Sequence, residues 1–481
     1  MSETRPVISA RNPSTGEYDY QFEAHFAHDV GRAAKELRLA QGGWCARGFA
    51  HRGGVLARWA AAIRKRRDEL IASLVADTGR RHESELELEA VLAILERWSQ
   101  YDPAEIIAPP RPSATRHVRV EQKAVPYALV GVISPWNGPL LLALIDAIPA
   151  LLAGSAVLIK PSEITPRLVE PLLQSIQDVA ELQAVISIVR GKEETGRALI
   201  DQVDAICFTG STRTGHIVAQ QAASRMIPAY LELGGKDPAI ILPDADLRYA
   251  AAAIFWGSVT NAGQACQSIE RVYVHRRDHD QLLELLCQLA AETTLSFEDE
   301  RSGIGPIISA SQVEVIARHL DDAVRRGAKI LAGGIVEKGG AIWVRPTILS
   351  SVDHTMLVMT EETFGPIIPV MSYNDIGEAI ALANDTSFGL SAAVFGSDEQ
   401  AAIEVAEFVE AGAISVNDAA LTAIVSDAEK MAFKTSGLGA SRMGNAAIRR
   451  FLRPKAILVN EAASTKECPS GLLGSNRVTR D

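Results

Sequence analysis

Cysteine, positive charge and long apolar runs are all scarce in this chain, and each shortage closes off a class of protein. The five cysteines (Cys45, Cys207, Cys266, Cys287 and Cys468) are scattered over 481 residues, odd in number and without a Cys-x-x-Cys pair. Such spacing offers no zinc site and fits a reducing compartment better than a disulfide framework. The longest apolar stretch, PLLLALIDAIPALLAG, is interrupted by Asp146 and Pro149 and is too short to span a bilayer. The first residues, MSETRPVISARNPSTGEYDY, hold no apolar segment of the kind a signal peptide needs, so a cytoplasmic location is expected. Lys and Arg number 48 against 59 Asp and Glu, a net charge of −11. That balance argues against nucleic acid or an anionic membrane as the main partner.

Two familiar phosphate signatures are also missing. No Gly-x-Gly-x-x-Gly occurs. GKEETGRA and GSTRTGHI have glycines at Walker spacing, but Arg197–Ala198 and His216–Ile217 stand where Lys and Ser/Thr are required, which excludes an ATPase.

What is present is an ordinary globular composition, 47% hydrophobic and 22% charged, in a chain long enough for two or three domains. From Ala34 to about Lys123 the apolar spacing is mostly helical. From Tyr127 short Val/Ile-rich runs (ALVGVISPWN, AVLIKPSE, AVISIVRG, DAICFTGST, AYLELGG) alternate with helical stretches, the pattern of a doubly wound parallel sheet. A second such series starts near Asp237, and a polar tail ends the chain. Ligands in these sheets bind beyond the carboxyl ends of strands, where SPWNG, KPSE, FTGST and LELGG all fall.

Within these stretches three local signals stand out. FTGSTRTG reads as a strand, a turn and a helix whose exposed N–H groups suit a phosphate, although such turns also serve as plain caps. Lys160 and Glu163 in VLIKPSEITP could both bond ribose hydroxyls, or form a surface ion pair. Cys266, in NAGQACQSIERVYV, is either a nucleophile or a small buried hydrophobe.

Taken in order, PWNG, KPSEITP, FTGSTRTG, LELGGKDP, GQACQSIERV, EETFGP and SFGLSAAVF resemble the aldehyde dehydrogenase superfamily, from NPSTGE at Asn12 to AILVN at Asn460. ELGGK followed by GQxC is the most specific part, with 34 residues from Glu232 to Cys266. The resemblance implies a cofactor domain (1–112 and 127–235), a catalytic α/β domain (236–445), a small β oligomerisation element (113–126 and 446–460) and the tail (461–481). Cys266 would attack the aldehyde carbonyl and Asn137 would bind the oxyanion. Glu232, raised in pKa by an apolar setting, would activate water on the thioester. Backbone N–H groups around Cys266 would favour its thiolate. Lys160 and Glu163 would hold the adenosine ribose, Ser211 the pyrophosphate, and Glu362 and Phe364 the nicotinamide end. Trp136, Ser162, Gly210, Gly215 and Leu233 complete the cofactor set, and no metal is implied. Glu163 favours NAD, with NADP the alternative, because a carboxylate repels a 2′-phosphate.

Glu232 argues for a free acid product over transfer to coenzyme A, and the three catalytic residues together argue against a retired cofactor-binding homologue. Gly138, Asp146 (where relatives commonly carry lysine) and the Leu421 region depart from the family pattern. The expectation is a wider funnel for a bulky or apolar aldehyde, and a homodimer or homotetramer whose β elements pair across subunits.

Overall fold

A computed structural model describes residues 4–106, 108–297 and 303–461. Cys468 and the tail beyond Glu461 lie outside the described residues.

The strands Ala156–Lys160 and Ala205–Thr209 are buried along their whole length, as their unbroken Val/Ile/Leu character requires of strands covered on both faces. They belong to a six-stranded sheet in the order Gly437–Leu438, Ala229–Glu232, Ala205–Thr209, Leu129–Ile133, Ala156–Lys160, Ile186–Ile188. All neighbours run parallel except the first pair. The chain enters at Leu129–Ile133 in the middle, builds outward to Ile188, then returns to build the other way. That reversal opens a crevice between the ends of Leu129–Ile133 and Ala205–Thr209. Helices Ala27–Ala46, Gly48–Lys65 and Arg81–Ser99 share one core with this sheet. Trp44 and Trp59 are buried there, each indole N–H donating to a partner, Leu151 O and Ser175 Oγ.

The helical pattern expected to reach Lys123 stops at Ser99. Val118–Pro126 is a strand, because its residues alternate at period two and pair antiparallel with Leu452–Asn460 from Val118↔Asn460 to Pro126↔Leu452. The two segments thus pair with each other within one chain. Ile457 and Leu458 stay exposed on the resulting three-stranded sheet.

A seven-stranded sheet forms the second α/β layer, in the order Lys329–Lys338, Ala341–Ser350, Ile367–Tyr373, Ile269–His275, Asp237–Ile241, Ser391–Phe395, Ala413–Val416. It is parallel apart from its first hairpin. The short strand Gly437–Leu438 follows this layer in sequence yet sits on the edge of the first sheet. Among the described residues no helix is long and apolar enough to cross a membrane.

Gly131, in the central strand, shows how tightly the cofactor side is packed. A Cβ there would lie 2.5 Å from Leu199 Cδ2 and 3.0 Å from Ile206 Cδ1. Gly131→Val should therefore push helix Glu193–Ile200 outward and destabilise the protein by about 1–3 kcal/mol, read as a lower denaturant midpoint. An unchanged midpoint would show that this contact relaxes freely.

Candidate active site

Helix Leu247–Val259 ends in a turn in which Asn261, Ala262 and Gly263 all take positive φ (59°, 53° and 68°). Gly263 is needed at its position on a second count, since a Cβ would lie 2.3 Å from the carbonyl carbon of Gly365. The strained turn is held by its own polar groups. Asn261 Nδ2 donates to Gln264 O (2.9 Å) and Asn137 O (3.1 Å), while Gln264 Nε2 donates back to Asn261 O (2.9 Å). Ile308 N donates to Gln264 Oε1 at 2.9 Å. Asn137 Nδ2 in turn donates to Gln264 O at 3.0 Å. Asn137 and the loop carrying Cys266 are therefore one hydrogen-bonded unit, although 129 residues part them in sequence.

Cys266, half-buried, faces a cavity of about 690 Å³ whose walls include Trp136, Asn137, Glu232, Glu362 and Phe364. A second cavity of about 530 Å³ is lined by Lys160, Ser162 and Glu163. Pro135, Trp136, Thr209, Gly210, Ser211 and Arg213 border both, so the two form one crevice along the switch point of the first sheet. At its middle Ser211 caps helix Thr212–Ser224, its Oγ accepting from Thr214 N. The remaining N–H groups of that helix end and Arg213 suit a diphosphate. Lys160 Nζ lies 3.1 Å from Glu163 Oε2, and Ser162 Oγ accepts from Ile164 N. A dinucleotide therefore fits the crevice in size, shape and donor chemistry.

Gly215 is placed otherwise than the sequence implied. It borders neither cavity and instead gives room to Leu233, whose Cδ2 would lie 2.5 Å from a Cβ there. Leu233, Gly210 and Ser211 do line the cavity wall. Phe364, at φ 52°, meets Trp136 edge to face with centroids 5.4 Å apart. Its turn is held by Glu270, which accepts from Thr363 N and Phe364 N (both 2.7 Å) and from Lys236 Nζ (2.6 Å).

One electrostatic expectation is corrected. The Cys266 thiol is pushed up to about 12 by burial, then by the charges of Glu362 and Asp237; Arg442 opposes them but does not win. In the protein without cofactor the thiol thus holds its proton, and loop N–H groups do not outweigh the carboxylates. Glu232, expected in apolar surroundings, has Arg442 Nε 3.7 Å from its Oε1. Glu362 lies over the Gly234–Gly235 backbone, accepting from Gly235 N at 3.1 Å, and is pushed up to about 8 by burial and by Glu270.

Asp146, the departure from lysine, is fully buried. It binds Arg442 Nη2 at 3.0 Å and, more closely still, Arg450. Burial alone would raise its pKa, but the two guanidiniums outweigh that and hold it below the ordinary carboxylate range.

With this geometry in view, the chain was compared with known proteins. The family model described as "Aldehyde dehydrogenase family" matches residues 1–457. This chain belongs to the aldehyde dehydrogenase family. A Mycolicibacterium smegmatis protein named "Putative succinate-semialdehyde dehydrogenase", for NADP, is 32% identical over 455 residues, covering 93% of this chain and 88% of that one. A Methylomonas "4,4'-diapolycopene aldehyde oxidase" is 37% identical over 357 residues, 74% of this chain and 66% of its own. The solved structure of the Anabaena variabilis "Putative Aldehyde Dehydrogenase PutA" superposes with a TM-score of 0.94 at 48% identity, covering 96% of this chain and 99% of that one.

Sequence reading missed Arg442, Glu270, Lys236 and Arg213 in this aldehyde dehydrogenase site. The last three lie inside stretches singled out for other residues. Arg442 had only an indirect signal, because a carboxylate in the apolar run around Asp146 implies a buried cation somewhere.

The raised pKa of Glu362 gives a pH dependence of definite sign. The folded protein holds a proton that the unfolded chain releases near 4.5, so this stability is complete below that pH and drains away as pH rises through about 8. The denaturant midpoint of the cofactor-free protein should fall between about pH 6 and about pH 8.5, and Glu362→Gln should flatten part of that fall. An identical fall in the variant would show that the proton is held elsewhere.

Proposed function

We propose that this aldehyde dehydrogenase is of the NAD-dependent, hydrolytic type and takes apolar aldehydes to free acids. The observation that carries the reading is the meeting of Cys266, Asn137 and Glu232 on one cavity, with Asn137 bonded to the loop of Cys266. Cys266 Sγ attacks the carbonyl carbon to form a thiohemiacetal. Asn137, with one amide hydrogen engaged by Gln264 O, has a second to offer the oxyanion; one such donor contributes roughly 2.7–4 kcal/mol to the transition state. A dinucleotide held by the crevice between Lys160, Ser211 and Phe364 would supply the hydride acceptor, by which the carbon bonded to Cys266 would reach the thioester level. Glu232 then takes a proton from water as the hydroxyl adds to the thioester, releasing acid and thiol.

Apolar substrates are favoured by what replaces the usual aromatic wall. Gly138 leaves its space to Leu142, which lines the cavity. Leu421, Ile424 and Val425 are exposed on the loop whose later residues, Lys430 and Arg442, couple electrostatically to Glu232. The Methylomonas relative, named for an aldehyde of a long hydrocarbon, points the same way. The exposed apolar strand Leu452–Asn460 suits pairing of subunits into a homo-oligomer.

The test is NADH formation with straight-chain, branched and aromatic aldehydes. Cys266→Ala should lose turnover by at least about a thousandfold, and Glu232→Gln should keep a first-turnover burst but slow the steady state about a hundredfold. kcat/KM should climb with chain length; a preference for two- or three-carbon aldehydes would sink the apolar reading, and stimulation by coenzyme A the hydrolytic one.

Cofactor choice rests on Glu163, whose carboxylate at the adenosine end opposes a 2′-phosphate. The M. smegmatis relative is named for NADP, so the comparison is informative. Glu163→Gln should lower the NAD-over-NADP ratio of kcat/KM by about tenfold; an unmoved ratio would place selectivity elsewhere.

A further inference from the structure

Asp146, Arg442, Arg450 and Glu232 form a chain of alternating charge beneath the catalytic cavity. Asp146 and Arg450 are 1% exposed at their side chains and Arg442 only 9%, while Glu232 at the cavity end is 23% exposed. Arg442 Nη2 donates to Asp146 Oδ2 and to Thr209 Oγ1. Thr209 is the register partner of Glu232 in the neighbouring strand. With Nη2 thus anchored, the guanidinium edge that remains faces Glu232. Its Nε–H is buried and has no hydrogen-bond partner among the described residues, and the carboxylate oxygen of Glu232 is 3.7 Å away. A buried donor left in that state is unfavourable, and a small swing of Glu232 would complete the bond. Two more cations couple to this carboxylate, but Lys430 has its ammonium drawn onto Thr422 O and Arg450 is bound to Asp146.

Resting on the hydrolytic reading above, we infer that Arg442 is the positioning residue for Glu232. It is held from behind by Asp146 and Thr209, and it steers the carboxylate that deprotonates water during release of the acyl group. The step balances without any further reagent. Water loses a proton to Glu232, its oxygen bonds the acyl carbon, the carbon–sulfur bond breaks, and the thiolate of Cys266 recovers a proton. The cation comes from the C-terminal loop, and the buried carboxylate of Asp146 holds it in place. Arg442 contacts Glu232 and reaches Cys266 only through its field, behind burial and the carboxylates, so its removal falls chiefly on thioester hydrolysis.

The experiment uses 4-nitrophenyl acetate, an activated ester that acylates a thiol with no cofactor. In the full-length enzyme each acylation releases one nitrophenolate as a burst, and the steady rate that follows reports hydrolysis of the acyl-enzyme. Arg442→Met should keep the burst within about twofold, slow the steady rate at least about tenfold, and accumulate acetylated Cys266 by intact mass; Arg442→Lys should return the steady rate to within about threefold of the parent. Asp146 keeps Arg450 in both variants, and Arg442→Gln serves as a second neutral variant. Equal loss of burst and steady rate, an unchanged steady rate, or failure of both neutral variants to fold would each overturn the proposal and leave Arg442 a purely structural role. Absence of a burst in the parent, or its persistence in Cys266→Ala, would instead overturn the catalytic reading on which it rests.

Discussion

The carboxylate of Glu270 accepts from Lys236 Nζ, Thr363 N and Phe364 N within 2.7 Å, and three separate stretches of the chain take their places from it. Lys236 follows the LELGG segment, Glu270 follows Cys266 by four residues, and Thr363–Phe364 form the turn at the Cys266 end of the crevice. Both charged partners are almost wholly buried. An ion pair so placed repays its desolvation only when further hydrogen bonds satisfy the remaining lone pairs, as the two backbone N–H groups do here. It also contributes geometry more than stability: loss of either charge would leave the other buried and alone, so the three stretches hold together or come apart together.

Around that fixed point the charges are arranged against premature reactivity. Burial first, and then the neighbouring Glu362, Asp237 and Glu232, keep the proton on Cys266 against the opposing field of Arg442. A site of this sign attracts a cationic ring and discourages alkylation or oxidation of the thiol before one arrives. Burying these acids near Cys266 is unfavourable once they ionise, and the large core shared by the Trp-bearing helices and the first sheet offsets that cost.

Most of the architecture could be read from the sequence because parallel strands buried on both faces leave nearly continuous Val/Ile/Leu runs, and Ala156–Lys160 is a plain example. Val118–Pro126 is expected to be β only from the family resemblance, because its local pattern reads as helical and its partner, Leu452–Asn460, lies far away in sequence. Cys266, Asn137, Glu232 and most of the other residues found along the crevice came from ordered motifs. Gly215 looked like part of the phosphate turn because it follows the right residues, yet its missing side chain serves Leu233. Arg442 was illegible for a different reason. A single arginine in GLGASRMG has no periodicity or motif, and its meaning lies wholly in Asp146 and Glu232, two segments it meets only in the folded chain. The expectation of a favoured Cys266 thiolate failed likewise, since burial and neighbouring charge are properties of packing.

The strand Gly437–Leu438 completes the first sheet by pairing with Leu231 and Glu232, from which it is separated by the whole of the second α/β layer. Synthesis from the N-terminus therefore delivers the cofactor sheet with one edge open, and delivers Glu232 without the segment that flanks it. Closure of so long a loop is slow by its entropy, and it waits until the intervening domain has emerged and folded. Until then the nascent protein carries Cys266 and Glu232 but not the guanidinium of Arg442 that lies beside Glu232. Catalytic competence thus arrives last, as one of the final events of folding, and any truncation of the C-terminal loop yields a nearly complete protein whose active site has never closed.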